Sequence, residues 1–273
     1  MFTSYIICTV FELEIFTVPQ VEPTGPGQTQ FGAYPWQAVI LKNNVYIGSG
    51  VLVDDRHVIT AAHKIAQYVE DLDENLYSEL KVRLGEWDAS SDREPIRHEE
   101  FAVHTIAVHL DYNKKNLHND IAIIRLKNNV LLGTSPLVGA ACLPTRSFSN
   151  CNCKCWVSGW GKNALTGQLQ EVQKHVDVKI QSSDSCQSSL RETKLGSAFV
   201  FDESFICAGG EISKDACTGD GGSPLSCEIN GRWFIPGLVA WGIGCGDAGV
   251  PGVYVNVLNF VQWIEETIAI PAR

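Results

Sequence analysis

The sequence predicts an all-β protein built as two six-stranded antiparallel β-barrels with a C-terminal helix. Short apolar runs of β type recur along the chain and are separated by turn residues, which is typical of barrels made of short strands. These runs fall into two sets of about six. The first set covers residues 38–41, 45–53, 56–60, 81–84, 106–109 and 121–126. The second set covers residues 155–159, 168–180, 204–208, 222–228, 233–241 and 252–256.

A single helix is predicted, over residues 258–268. Apolar side chains recur there near helical spacing, and Pro271 follows the end of the segment. These side chains are Phe260, Trp263, Ile264 and Ile268.

The first 23 residues are predicted to form an N-terminal arm, and the folded domain is expected over residues 24–273. Residues 19–30 are rich in proline and glycine, which favours a turn-rich lead-in. Residues 1–11 are mostly apolar, as in the apolar part of a signal peptide. They lack the basic residues that usually come before that part, and Glu12 and Glu14 follow at once. Two interpretations stand here: a weak signal peptide, or a piece of a longer precursor.

Composition limits the classes of function. Ten cysteines indicate disulfides and an oxidising compartment. The formal net charge of −10 argues against nucleic acid or an anionic membrane as the main partner, because both require a basic surface. No apolar run reaches the roughly 18–20 residues of a membrane-spanning helix. The expected protein is therefore secreted and extracellular.

Three motifs resemble the chymotrypsin/trypsin-like serine proteases. Residues 60–63 read T-A-A-H, residues 119–123 read N-D-I-A-I, and residues 215–225 read D-A-C-T-G-D-G-G-S-P-L. The resemblance covers residues 30–265 and is closer to the non-catalytic serine protease homologues, because glycine stands at 221 where the proteases place serine. It implies a degenerate triad of His63, Asp120 and Gly221.

This triad lacks a nucleophile. Acyl transfer needs an activated hydroxyl, a base within hydrogen-bonding reach and a carboxylate that orients the base. His63 and Asp120 would supply the last two, but Gly221 has no hydroxyl. Removing the serine of a protease costs around 10⁶ in kcat, so useful turnover is not expected. The alternative is that Ser223, which precedes Pro224, replaces the nucleophile rather than filling a tight turn.

Three further departures agree with lost catalysis. No lysine or arginine precedes Lys42, so the family's activating cleavage is not expected and Asp220 lacks the ammonium it would receive. Asp220 is therefore predicted to stay in an inactive precursor conformation or to find another donor. Ala240 stands where the family usually has a serine beside the triad. Gly48 and Lys64 occupy the two positions of the family's histidine-loop disulfide.

The resemblance also implies a specificity pocket for a basic side chain. Asp215 takes the place of the carboxylate at its base, while Gly242 and Gly252 take the places of its walls. A lysine or arginine of a partner would bind there through charge-assisted hydrogen bonds. The alternative is that the pocket has collapsed and Asp215 is a relic.

Disulfide pairing is implied by the resemblance alone. The three implied pairs are Cys155–Cys227, Cys186–Cys207 and Cys217–Cys245. Cys142 matches a cysteine that usually holds an N-terminal chain, and Cys8 has a suitable spacing to be its partner. Cys151 and Cys153 are additional; pairing with Cys142, tethering of another chain and displacement of Cys155 all stay open.

A calcium site is the one cofactor that the resemblance suggests. In some relatives the loop that follows residues 82–88 binds calcium, and Glu86 and Glu94 are the foremost candidate ligands. The favoured interpretation, however, is an exposed charged loop without an ion, in which Arg93 and Arg97 are the local counterions; the expected cofactor is therefore none, and calcium is the alternative. The other candidate ligands are Asp92, Glu99 and Glu100.

The predicted function follows from the motifs together. Residues 31–36, 84–88 and 219–224 resemble those of insect clip-domain serine protease homologues, including prophenoloxidase-activating cofactors. The resemblance implies a non-catalytic regulatory or binding module of an extracellular protease cascade, acting in innate immunity or melanisation. Its expected partner is a protease or prophenoloxidase. The alternatives are a weak trypsin-like peptidase that uses Ser223 and an adhesive, microbe-binding pseudoprotease.

Overall fold

The first half of the chain forms a closed antiparallel barrel. The computed structural model describes residues 18–69, 76–91, 94–145, 154–163 and 166–271. The barrel strands are β1 (Gln37–Lys42), β2 (Val45–Leu52), β3 (His57–Thr60), β4 (Leu80–Leu84), β5 (Glu99–Val108) and β6 (Ala122–Leu126). They follow one another in the order β1-β2-β3-β6-β5-β4, and β4 pairs with β1 to close the barrel. The six strands predicted for this half are confirmed, although β5 begins well before residue 106.

The β1–β2 hairpin shows how local sequence sets the register of the first barrel. Asn43 and Asn44 connect the two strands with φ of 49° and 62°. Two consecutive left-handed residues define the tight hairpin turn whose twist matches that of the strands, and asparagine tolerates this conformation better than most residues. Lys42 is therefore paired directly with Val45.

The second half forms a sheet of seven strands rather than the six predicted. The strands are β7 (Cys155–Gly159), β8 (Lys174–Val178), β9 (Ile180–Gln181), β10 (Phe205–Gly209), β11 (Pro224–Ile229), β12 (Arg232–Trp241) and β13 (Pro251–Asn256). Only Lys179 separates β8 from β9. Because β8 pairs with β7 and β9 pairs with β10, this one bent stretch forms both edges of the sheet and nearly closes it. The predicted strand 168–180 thus begins later and is split.

Helices are few, but the expectation of a single helix was wrong. The α-helices are α1 (Ala62–Ile65), α2 (Ser183–Arg191) and α3 (Val257–Ile268). Helix α2 was not predicted because it is rich in serine and buries only Cys186 and Leu190. Ser182 caps its start: the Ser182 Oγ accepts a hydrogen bond from the Ser185 N–H at 3.2 Å. Among the described residues, no helix is long and apolar enough to cross a membrane.

Each barrel has an apolar interior, and a further core joins the two barrels. The interior of the first barrel includes Ile40, Leu52 and Ile124, all fully buried. The joining core combines Ile59 of β3 with Leu238 of β12 and with residues from α3. It gathers side chains from both halves and the last helix: Val51, Ile59, Ile121, Ile235, Leu238, Val253, Phe260 and Ile264. The two barrels therefore pack as one body, and the site lies where they meet.

Disulfides link strands and loops within the second half. The structure contains the three pairs that the resemblance implies, Cys155–Cys227, Cys186–Cys207 and Cys217–Cys245. Cys142 is also disulfide-bonded. The cysteines considered as its partner, Cys8, Cys151 and Cys153, lie outside the described residues.

The loop that carries Gly221 lies directly on the first barrel. The Ser49 N–H donates to the Gly221 carbonyl at 3.1 Å, and the Gly222 N–H donates to the Val239 carbonyl at 2.9 Å. Gly222 has a φ of +81°, and a Cβ there would overlap the carbonyl oxygen of Ser49 and the hydroxyl of Thr60. Only glycine permits this approach, because it combines the left-handed conformation with the absence of a side chain.

We expect Gly222→Ala to lower the free energy of unfolding more than Gly231→Ala does. Gly231 has a similar φ of +74° but no atom within 4 Å of its hypothetical Cβ, so both variants share a backbone cost of about 1–2 kcal/mol. The overlap adds about 1–3 kcal/mol for Gly222 alone. Urea unfolding under oxidising conditions measures the difference, and equal destabilisation of the two variants would show that this close approach is not needed for stability.

Candidate active site

His63 and Asp120 form a complete histidine–carboxylate pair. His63 lies in α1, immediately after β3, and Asp120 directly precedes β6, which pairs with β3. The Asp120 Oδ2 lies 2.6 Å from the His63 Nδ1, and its Oδ1 accepts the His63 backbone N–H at 2.7 Å. Asp120 is fully buried, whereas the His63 side chain is 24% exposed. Burial raises the pKa of Asp120, and its bonds with His63 act in the opposite direction.

Gly221 lies beside the free edge of this imidazole. A Cβ built on Gly221 would be 2.7 Å from the His63 Nε2 and 2.8 Å from the Lys64 Cδ. Both distances are shorter than a carbon side chain tolerates. The space for a serine side chain is therefore reduced, and the base has no hydroxyl to deprotonate at this position.

Lys64 fills the space between the two barrels at this point. A Cβ on Gly48 would lie 2.6 Å from the Lys64 Cε, so the lysine chain runs between Gly48 and Gly221. Burial lowers the pKa of Lys64, while the nearby carboxylates of Asp220 and Asp120 raise it. A cationic side chain thus occupies one of the two positions of the family's histidine-loop disulfide.

Asp220 has found other donors, as one of the two sequence-based alternatives anticipated. Its Oδ1 accepts the Gly161 N–H at 2.8 Å, and its Oδ2 accepts the Cys217 N–H at 3.0 Å. Burial raises its pKa, whereas these two bonds and the Lys64 charge lower it. A cavity of about 430 Å³ lies against this carboxylate and is also lined by Lys162 and Asp215.

A cavity of about 340 Å³ opens beside His63, and Asp215 lies in its wall. We call it the Asp215 cavity. A Cβ on Gly252 would lie 2.6 Å from the Asp215 Oδ1, so a side chain at 252 would collide with the carboxylate. Gly242 leaves its side of the wall open, with only the Gly244 carbonyl within 4 Å. A cavity is thus present where the resemblance places the pocket. Binding of a basic side chain there stays a prediction.

The Asp215 carboxylate has a raised pKa and one buried oxygen without a hydrogen-bond partner among the described residues. The pKa of Asp215 is raised to about 6, chiefly by burial; the N–H groups of Gly246 and Ala216 lower it, and the charges of Asp220 and Asp247 raise it. Its Oδ2 accepts the Gly246 N–H at 3.3 Å, whereas its buried Oδ1 has no partner among the described residues. An unpaired, largely buried carboxylate oxygen favours a cationic ligand, because such a ligand compensates the lost hydration.

Ser223 is a poor replacement nucleophile. It is fully buried, and its Oγ has no hydrogen-bond partner among the described residues. The Oγ lies on the side of Gly159, whose hypothetical Cβ would be 2.9 Å away, and Ser223 is not among the residues that line the Asp215 cavity with His63. Neither the base nor a substrate reaches it in this arrangement.

The suggested calcium loop contains a compact cluster of Glu86, Glu94 and His98, whose ligand atoms lie within 4.8 Å of one another. Glu86 already bonds the Arg83 guanidinium at 2.7 Å, and burial raises the pKa of Glu94 to about 7. Calcium prefers oxygen ligands that are free and charged. This donor set fits calcium poorly, and the calcium site stays an untested alternative. Candidate Asp92 lies outside the described residues.

Sequence reasoning missed the role of Lys64 and of His98. In the sequence, Lys64 shows only that a disulfide position is not cysteine. Its place directly after His63 is the signal that could have predicted a charge in the site. His98 follows Glu94 by four residues, but nothing in its spacing showed that the loop folds back onto Glu86. The contact of Lys64 with Gly221 and the contact of His98 with Glu86 both join residues that are distant in sequence, so only the fold brings them together.

We expect Gly221→Ser to react slowly with a fluorescent fluorophosphonate, and Gly221→Ser combined with Lys64→Ala to react about tenfold faster. The lysine crowds the new Cβ, and overpacking of about 1–3 kcal/mol corresponds to roughly this factor. Gel fluorescence over time measures the rates, with Lys64→Ala alone as the unreactive control. Equal rates for the two serine variants would show that Lys64 does not obstruct the site.

We expect the affinity for benzamidine, a small aromatic cation, to fall about tenfold between pH 7.5 and pH 5. The Asp215 carboxyl, with a pKa of about 6, is ionised above that value and mostly protonated at pH 5, so its attraction for a cation is lost as the pH falls. Calorimetric titration measures the affinity. Asp215→Asn should bind weakly at both pH values, and a pH-independent affinity of the unmodified protein would contradict this role.

Comparison with known proteins agrees with this geometry. The Trypsin family model matches residues 24–264. The chain is 52% identical over 261 residues to "Inactive CLIP domain-containing serine protease A3" of Aedes aegypti, covering 94% of this chain and 54% of that protein. It is 40% identical to "Phenoloxidase-activating factor 2" of Galleria mellonella, covering 89% and 83% respectively.

A further relative is "Inactive CLIP domain-containing serine protease A8" of Anopheles gambiae, with 38% identity over 88% of this chain and 66% of that protein. The chain thus spans only about half the length of the Aedes protein. The family model nevertheless covers both barrels, His63, Asp120 and the loop of Gly221. The chain belongs to the trypsin family.

Proposed function

We propose that this protein is a non-catalytic serine protease homologue that acts as a regulatory or binding partner in an extracellular protease cascade. One observation carries the proposal. An intact His63–Asp120 pair and an open Asp215 cavity flank Gly221, a residue without a side chain. The arrangement retains the means of recognising a ligand and lacks the nucleophile for cutting it.

The names of the relatives favour the same class. Two of the relatives described above carry the word inactive in their names, and the third is named a phenoloxidase-activating factor. We infer that this chain assists phenoloxidase activation in innate immunity, with a protease or prophenoloxidase as the direct partner. The three disulfides support secretion, because such bonds persist in oxidising compartments.

The other two functions considered from the sequence have less support. A peptidase that uses Ser223 would need that buried hydroxyl to reach His63, and it lies on the side of Gly159 instead. An adhesive, microbe-binding protein would need no open, acidic cavity at the former catalytic centre, whereas this chain has one.

The test is a reconstituted activation assay. We expect the purified, oxidised protein to increase the phenoloxidase activity produced by an active trypsin-like protease and prophenoloxidase, and to produce none when the protease is omitted. Pretreating the protein with a serine-directed fluorophosphonate, then removing the reagent, should leave the increase unchanged because there is no nucleophile to block.

Two results would contradict the proposal. Cleavage of prophenoloxidase by this protein alone, sensitive to the fluorophosphonate, would identify an enzyme. Tight binding to microbial cell-wall material combined with no effect on activation would favour the adhesive function.

A further inference from the structure

A cavity of about 310 Å³ lies on the outer face of the first barrel, and it shares no lining residue with the Asp215 cavity. We call it the Arg125 cavity. Arg125 of β6 is paired with His57 of β3 on one side and with Thr105 of β5 on the other. Residues directly opposite in paired strands point to the same face of a sheet, so these three side chains form one row. Ile124, the preceding residue in β6, belongs to the barrel interior, which places the row on the outer face.

His104 joins this row through a β-bulge. Val103 is paired with Leu126 and Thr105 with Arg125, so His104 is an extra residue in β5. A bulge redirects the side chain of the extra residue, and His104 lines the Arg125 cavity. Within the described ranges, its imidazole takes part in no hydrogen bond or ion pair.

His57 has a partner for only one ring nitrogen. Its Nδ1 lies 2.8 Å from the Asp54 Oδ2, and its Nε2 forms no bond with any residue that the structure describes. His57 is buried and lines the same cavity as His104. Two imidazoles and one guanidinium therefore converge on this cavity.

The Arg125 guanidinium has no acidic partner among the described residues. Its Nη1 donates to the Ile270 carbonyl at 2.7 Å, whereas its Nε is buried and bonds no described residue. It forms no ion pair in the described part of the chain, and no acidic residue lines the cavity. In a chain with a net charge of −10, such an uncompensated cation favours an anionic ligand, because the ligand compensates the lost hydration.

The unused edge of this guanidinium suits a carboxylate. The N–H groups of Nε and Nη2 point in parallel from one edge of an arginine side chain, and the two oxygens of a carboxylate accept both bonds at once. The Ile270 carbonyl occupies only Nη1. A carboxylate on the remaining edge would therefore give the buried Nε the acceptor that it lacks.

Most of the remaining lining is apolar. The apolar residues are Ile106, Ala107, Ile123, Ile270 and Pro271. Apolar walls with a few convergent polar groups are typical of small-molecule sites, whose volumes begin at roughly 300 Å³. Methylene groups that leave water for such walls add to the affinity. The cavity thus matches a ligand with one anionic head and a short apolar body.

We propose that the Arg125 cavity binds a small aliphatic carboxylate of the short- to medium-chain fatty acid class. The carboxylate bonds the Nε–Nη2 edge of Arg125, and the chain lies against Ala107 and Ile123. His57 and His104 supply further ring nitrogens for hydrogen bonds to the head group. This inference goes beyond the proposed function, because no residue of the degenerate triad lines the cavity.

The test is calorimetric titration of the purified, oxidised protein with octanoate, 1-octanol and acetate. We expect octanoate to bind about tenfold more tightly than 1-octanol, which has the same chain without the charge. Octanoate should also exceed acetate by at least about tenfold, because acetate has the same head without the chain.

Variants locate the bound ligand. Arg125→Met removes the guanidinium but keeps an apolar stem, so it should lower the affinity for octanoate to that for 1-octanol. Arg56→Met is the matched control: Arg56 also donates to two backbone carbonyls, of Leu126 and Lys127, but does not line the cavity. It should leave the affinity for octanoate unchanged. Ala107→Leu should weaken both octanoate and 1-octanol, because the larger side chain fills the cavity.

A measurement on the unmodified protein covers the case in which Arg125→Met fails to fold, which circular dichroism would reveal. The ¹⁵N signal of the Arg125 Nε–H should shift on addition of octanoate and stay in place on addition of 1-octanol. The absence of a shift at saturating octanoate would show that the carboxylate binds elsewhere.

Three further outcomes would overturn the inference. Equal affinity for octanoate and 1-octanol would show that the charge is not recognised. Inorganic phosphate or acetate binding as tightly as octanoate would assign the cavity to simple anions. Unchanged octanoate binding by a folded Arg125→Met would place the ligand at another site.

Discussion

The close approach of the Gly221–Gly222 loop to the first barrel is the constraint on which the site depends. The Ser49 N–H holds the Gly221 carbonyl at 3.1 Å, and Gly222 has no side chain to separate the two surfaces. This contact brings His63, which belongs to the first barrel, against a loop of the second. The crowding of Gly221 by Lys64 follows from that approach, and neither barrel alone contains His63, Asp120 and the Gly221 loop together.

Electrostatics explains why a site without a nucleophile keeps its shape. Three largely buried carboxylates lie around it, and each is stabilised differently. Asp120 bonds His63, and Asp220 accepts two backbone N–H groups near the Lys64 charge. Asp215 alone retains a buried oxygen without a partner among the described residues. Because an uncompensated buried charge is costly, this carboxylate is the one from which a ligand gains most.

The nucleophilic step and the cavity depend on different parts of this architecture. The hydroxyl of one residue performs the nucleophilic step, whereas the cavity is formed by the backbone of several loops and held by the Cys217–Cys245 disulfide. Gly221 provides no nucleophile, while a cavity of about 340 Å³ is present beside it. Lys64, at one position of the family's histidine-loop disulfide, adds a basic side chain beside Gly221.

The sequence by itself determined the barrels and the degenerate motif, because strand patterns and short motifs are local properties of the chain. The residues of the pocket and the three disulfide pairs were implied only through the resemblance. It did not reveal α2, whose nine residues are mostly polar, or the split between β8 and β9 at Lys179. Only the tertiary structure decided that the Asp215 cavity is open and that Lys64 lies across Gly48 and Gly221, since these depend on how residues distant in sequence pack together.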